Sequence, residues 1–181
     1  MEDLPSVMNN TREHVRDYFD GRCAAVVASP PPPPLPLRFK SASCDVTATM
    51  GRICTEIEEN NMEFFKVICD NLKIETFEQF EYIAKQVFVN DDEDNNNMFV
   101  TWGRIATLLT FCGKMGEQGN ANVPCWTVRF VDRYLKDWIM RHDGWDGFVD
   151  FFSPTPMPVS KPMIVGLGII GLLCTITMLK K

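Results

Sequence analysis

The run from Thr101 to Gly113, T-W-G-R-I-A-T-L-L-T-F-C-G, limits the fold more than any other stretch of the chain. Its apolar residues Trp102, Ile105, Ala106, Leu108, Leu109, Phe111 and Cys112 cover most of a helical wheel. A surface helix carries one apolar stripe, whereas a helix that is apolar nearly all round is buried on most sides. The pattern therefore predicts a central helix with the rest of the chain packed around it. Two residues near its start fit poorly. Gly103 inside a helix costs about 1 kcal/mol relative to alanine. The fixed charge of Arg104 beside a buried surface needs a partner.

The other segments supply that surrounding layer. Residues 10–27 read as a first helix, with Asn10 and Glu13 resembling a capping box and Val15, Tyr18, Phe19 and Cys23 on one side. In residues 43–59, Val46, Met50, Ile53 and Ile57 recur at spacings of 4, 3 and 4, one helical stripe. A short third helix over 62–72 turns Phe64, Phe65 and Ile68 inward. Thr76 caps a fourth over 77–88, whose face is Phe80, Ile83, Ala84 and Val87. The central helix is expected from about Met98 to the glycines at 113, 116 and 119. Pro124 suits the first turn of the next helix, which runs to about Met140 and is apolar on much of its circumference. Two apolar helices joined by a short turn form an antiparallel hairpin, and the layout is an all-α bundle. A short aromatic helix follows Gly144.

The domain organisation follows from composition. Residues 1–28 form the N-terminal helix of the bundle, 29–42 a proline-rich linker, 43–152 the remainder of the domain and 153–162 an extended tether. Residues 163–179 carry no charge and lie between Lys161 and the Lys180-Lys181 end. As a helix this stretch spans about 25 Å, short for a bilayer core of about 30 Å but long enough for a thin membrane. It reads as a tail anchor with the domain facing the cytosol, at the outer mitochondrial membrane, the endoplasmic reticulum, or both. The N-terminus has no apolar region of the kind a secretory signal carries. Pro33 to Arg38 fits the P-x-x-P-x-(Lys/Arg) pattern of SH3 ligands, although a plain spacer explains the same residues.

Several function classes are disfavoured. The net charge is −6 and no basic cluster interleaves with aromatics, which argues against nucleic-acid binding. Seven scattered cysteines, never spaced C-x-x-C, suit buried reduced thiols. The acidic run Asp91 to Asp94 with Asn95 to Asn97 fails as a calcium loop, because the twelfth position would be Gly103 instead of a bidentate Glu. His14 and His142 are far apart, and no nucleophile, phosphate-binding loop or metal pattern is visible. The chain reads as a binding protein without cofactors, not an enzyme.

Two motifs carry a resemblance. W-G-R-I-A-T-L-L-T-F at 102–111 resembles the first Bcl-2 homology motif, and G-W-D-G-F-V-D-F-F at 144–152 resembles the second. With the helical layout and the apolar C-terminal stretch, the chain resembles the Bcl-2 family of apoptosis regulators from residue 10 to 181. R-E-H-V-R-D-Y-F-D-G-R-C at 12–23, T-W-G-R at 101–104 and F-F-S-P-T-P-M-P at 151–158 are most similar to the Bcl-2-like protein 10 (Diva/Boo/Nrh) branch. Residues 144–152 are also similar to the Mcl-1 branch.

The resemblance implies a hydrophobic groove that receives the death-motif (BH3) helix of a pro-apoptotic partner, including Bax/Bak-type members. Thr101, Trp102, Gly103, Arg104, Phe65, Val87, Thr107, Trp145 and Phe148 are the residues implied at that groove. In this expectation Gly103 admits the partner's backbone, and Arg104 pairs at an exposed rim with the partner's aspartate. An internal salt bridge from Arg104 to the acidic loop is the alternative. The second helix also matches the third homology pattern in degenerate form: Val46, Met50, Ile53, Cys54 and Ile57, with Thr55 where killer members have aspartate. That departure makes the segment core and the chain a receptor that restrains death factors. A pore-forming pro-death member and an SH3-binding adaptor are the rival readings. Calcium-channel regulation is implied by the resemblance alone.

Overall fold

A computed structural model describes the backbone of residues 4–27, 42–89 and 98–153. The described elements are all helical: α1 (Leu4–Val27), α2 (Ala42–Asn60), α3 (Met62–Asn71), α4 (Phe77–Gln86), α5 (Trp102–Glu117), α6 (Val123–Phe130), a π-helical turn (Val131–Leu135), α7 (Lys136–Arg141) and α8 (Gly144–Phe152). The proline-rich stretch with Pro33–Arg38, the acidic loop and the 163–179 stretch lie outside the described residues, as does the tether beyond Ser153. Among the described residues no helix is long and apolar enough to cross a membrane.

α5 is the axis of the bundle. Every residue from Trp102 to Gly113 is buried. α1, α2, α3 and α6 all pack on it, as an all-round apolar pattern requires. The expected second arm of the hairpin is different. α6 and α7 bury Val123, Thr127, Phe130, Val131, Leu135 and Ile139, while Trp126, Val128, Tyr134 and Trp138 are only partly buried. This arm has one inner face and is not apolar all round. Its inner residues fall mostly four apart, and such a spacing overruns an α-helical turn by about 40° at each step. The wider π turn absorbs that drift.

Three helix boundaries also differ from expectation. α1 begins at Leu4, so Asn10 and Glu13 sit inside it and cap nothing. α4 ends at Gln86 with Val87 as its C-cap, while its start is as expected, with Thr76 and Gln79 closing a reciprocal capping box. α5 begins at Trp102, not near Met98, because the Thr101 hydroxyl accepts the Arg104 backbone N–H at 3.3 Å and sets the N-cap there.

The far end of α5 is fastened by charge. Arg22 of α1 meets Glu58 of α2 at 2.5 Å and Glu117 of α5 at 2.6 Å. Lys114 meets the same two carboxylates at 2.5 and 3.0 Å. The Tyr18 hydroxyl donates to the Leu109 carbonyl at 3.2 Å and accepts from Arg22. Gly113 is demanded here, since a Cβ would lie 2.6 Å from the Tyr18 hydroxyl oxygen.

Candidate binding site at the start of the central helix

The first turn of α5 meets two sets of neighbours. On one side Trp102, 6% exposed, packs edge-on against Trp138 of α7 at 4.9 Å and Phe148 of α8 at 5.7 Å. Trp145 lies 6.2 Å away and donates its indole N–H to the Thr11 hydroxyl of α1 at 3.0 Å. This aromatic junction fastens α8 to the core. The chain reverses between α7 and α8 through Asp143 and Gly144, both left-handed with φ of 62° and 61°.

On the other side Arg104 folds inward. It is 3% exposed, and its Nη1 donates to the carbonyls of Val87 at 3.1 Å and Val89 at 2.6 Å. The Phe99 ring lies over the guanidinium at 5.2 Å, held in place by a bond from the Phe99 N–H to the Phe88 carbonyl at 2.8 Å. These carbonyls lie at and just beyond the end of α4, where the helix leaves acceptors without intrahelical donors. A fixed cation suits that end of a helix. Arg104 therefore does not stand at an exposed rim as expected.

Apart from half-buried Thr101, the other implied groove residues are likewise beneath the surface. Phe65 is 1% exposed, Val87, Thr107 and Phe148 are fully buried, and Trp145 is 4% exposed. The Thr107 hydroxyl donates to the Gly103 carbonyl at 3.0 Å, so the two residues are joined inside the helix. These side chains back a site and do not line an open surface. The exposed apolar side chains beside Arg104 are Val89 and Phe99, at 46% and 50%. Neither was singled out from sequence, where Val87-Phe88-Val89 and Met98-Phe99-Val100 are short apolar runs flanking the acidic segment and show no periodicity. On α3, Met62 and Val67 are also exposed, Met62 lying near Lys114 and Glu117 at the far end of α5.

The degenerate death motif is core. Val46, Met50, Ile53, Cys54 and Ile57 are each 5% exposed or less, while Thr55 is exposed. Burial pushes the Cys54 thiol up from its ordinary pKa, which suits an unreactive packing residue. Among the described residues no group of three or more His, Cys, Asp or Glu could hold a metal ion.

The sequence profile of the Bcl-2 family (apoptosis regulator proteins) matches residues 50–145, more than half of the chain. The chain belongs to the Bcl-2 family. It is 31% identical to dog apoptosis regulator Bcl-2 over 91 residues, 42% of this chain and 39% of that protein. It is 23% identical to chicken anti-apoptotic protein NR13 over 156 residues, 82% of this chain and 78% of that one. Rat Bcl-2-like protein 10 is 25% identical over 130 residues, 61% of this chain and 65% of that one. Among solved structures, Trichoplax adhaerens trBcl-2L2 bound to trBak BH3 superposes with a TM-score of 0.63 at 19% identity, covering 81% of this chain and 99% of that one. The all-helical fold of the family is thereby established for this chain.

Proposed function

We propose that this Bcl-2 family apoptosis regulator is a pro-survival member that receives BH3 helices at the surface around the start of α5. The observation that carries this reading is the corner where buried Arg104 lies beside exposed Val89 and Phe99. A partner helix in a groove buries apolar anchors spaced along one face. The Trichoplax relative was crystallised with a BH3 segment, which supports the same class of ligand here. The similarity to anti-apoptotic NR13 supports the direction of the effect. So does α2, whose motif residues face the core and whose Thr55 lacks a carboxylate for another member's arginine. The 163–179 stretch would hold the domain at the mitochondrial outer membrane or the endoplasmic reticulum, and deleting it would release the chain to the soluble fraction.

The test is titration of the full chain, in mild detergent, with a Bak-type BH3 peptide. Val89→Glu and Phe99→Glu place charges on exposed positions, the second also removing the ring over Arg104. Each is expected to weaken binding by tenfold or more, about 1.4 kcal/mol, with unchanged helical content. Affinity unaffected by either substitution refutes the site. Expression in cells provoked to die distinguishes the direction: protection is expected, and permeabilised mitochondria would refute the pro-survival assignment.

A further inference from the structure

A groove with a volume of about 890 Å³ lies between α1 and α6 and shares no residue with the corner around Arg104. Arg12 and Arg16 stand on its α1 wall, Arg129 and Arg133 on its α6 wall, and all four are exposed. Residues four apart along a helix share a face, so each wall carries a pair of guanidiniums. Asp20 and Asp132 are the carboxylates that line the same space. Arg16 meets Asp20 at 3.7 Å with both side chains open to water, a weak pair that a stronger anion can replace. Arg133 meets Glu81 at 3.4 Å. The Arg129 guanidinium lies over the Phe77 ring at 3.9 Å, and a stacked guanidinium keeps its donors in the plane of the fork. The chain carries a net charge of −6, so this groove locally reverses the sign of the whole molecule.

We propose that the α1–α6 groove binds the phosphate of an anionic phospholipid headgroup. Arginine suits phosphate because its rigid fork donates two parallel hydrogen bonds. Small-molecule sites commonly enclose about 300–1,000 Å³, and the groove falls in that range. Ala121, Pro124 and Val128 give it a small apolar floor beside the charges, as the glycerol end of a lipid requires. A partner helix fits less well, because it docks through large apolar contacts. Among the described residues, none of the exposed large hydrophobic side chains lines this groove. The source of the phosphate follows from the membrane tether proposed above for residues 163–179. A tethered domain meets headgroups at high effective concentration, an advantage that a free phosphate lacks. Occupancy would turn the α1–α6 face toward the bilayer. The BH3 reading is not needed for any of this.

Cys125 is exposed and lines the same groove, so it reports whether the groove is filled. The full chain is held in neutral detergent micelles containing either phosphatidylglycerol or phosphatidylcholine. Labelling of Cys125 by N-ethylmaleimide is followed by peptide mass spectrometry. It is expected to be at least about fivefold slower with phosphatidylglycerol. The difference is expected to vanish in about 1 M salt, where the Debye length is about 3 Å. Arg12→Gln combined with Arg16→Gln is expected to abolish the protection with unchanged far-UV circular dichroism. Lys66→Gln combined with Arg141→Gln removes the same charge from exposed positions outside the groove and is expected to keep it.

Equal labelling with the two lipids overturns the proposal. So does protection that survives the loss of Arg12 and Arg16, or that is lost equally when Lys66 and Arg141 are replaced. Soluble glycerol phosphate that protects Cys125 as well as the lipid does would assign a free-phosphate site and overturn the lipid. An acidic peptide that protects where phosphatidylglycerol does not would assign a protein partner instead. Micelles hold residues 163–179 in every arm, so a failure here leaves both the BH3 site and the membrane tether standing.

Discussion

The same substitution, Gly→Ala, is expected to have opposite signs at two helical positions. Gly147 lies in α8, four residues after Asp143, whose carbonyl accepts its N–H at 3.3 Å. A Cβ at Gly147 would fall 2.0 Å from the His142 carbonyl oxygen and 3.3 Å from Trp102 Cζ2. The first neighbour is backbone, so no rotamer change relieves the overlap. The turn cannot yield easily either, because Asp143 and Gly144 are both held at positive φ and Trp145 is pinned to Thr11. Overpacking of this kind costs about 1–3 kcal/mol and sometimes more. Alanine recovers up to about 1 kcal/mol of helix propensity. The expected net loss for Gly147→Ala is roughly 2 kcal/mol, or about 4–8 °C in Tm at this chain length. In α2, by contrast, a Cβ at Gly51 meets nothing within 4 Å. Gly51→Ala is expected to gain about 0.5–1 kcal/mol. Urea titrations of the full chain in detergent, followed by far-UV circular dichroism, measure both. A stabilised Gly147→Ala, matching Gly51→Ala, would refute the claim that the α7–α8 reversal is sterically closed.

Two further outcomes depend on pH. Burial tends to raise the pKa of Glu58, but hydrogen bonds from Lys114 and Arg22 more than offset this and hold it below its ordinary 4.5. Its ionised form therefore stabilises the fold above pH 4.5, and that contribution is lost as pH falls through the lower native value. Glu58→Gln is expected to cost roughly 2 kcal/mol at pH 7, moderated by partial exposure and by Glu117, with the difference from the parent shrinking in acid. A difference that persists undiminished at pH 3 contradicts this. His14 behaves oppositely: burial lowers its pKa below 6.5, against the pull of Glu13, Asp17 and Asp146. Its Nδ1 has no hydrogen-bond partner and its ring packs edge-on to Trp145. The stability owed to neutral His14 is complete above pH 6.5 and is lost as pH drops through the depressed native value. His14→Phe is expected to flatten the parent's acid-side decline below pH 6.5, and identical profiles in the two chains would exclude His14 as its source.

Sequence made the centre of the fold legible because burial on all sides leaves a pattern that no other helix among the described residues shares. Ile105 to Cys112 carry it without interruption. Where reading failed, the cause was usually a group that sequence does not spell. Two of the groups that Arg104 meets are main-chain carbonyls 15 and 17 positions away, and carbonyls look alike whatever residue bears them. Phe99 matters through one contact with a cation, so it contributes to no periodicity. Other misses had a usable signal. Pro5 marks a helix start better than Asn10 does, since proline is tolerated in a first turn. The repeated spacing of four through Val123, Thr127, Val131, Leu135 and Ile139 already implied a turn wider than an α-helix allows.

If the start of α5 is the recognition site proposed above, the two ends of α5 divide stability from recognition, and that division makes the binding experiments interpretable. At the C-terminal end, two cations and two carboxylates from α1, α2 and α5 close on one another. At the N-terminal end, Arg104 is held by the end of α4 and covered by Phe99. Ten residues separate Arg104 from Lys114, about 15 Å along the helix axis. Sites that far apart with no shared partner are expected to act additively. Loosening the ion cluster through Glu58 therefore lowers stability without changing BH3 affinity at temperatures where the chain stays folded. A Glu58→Gln chain that is fully folded yet has lost peptide affinity would mean that the two ends are coupled through α5, and the groove could not then be treated as a local site.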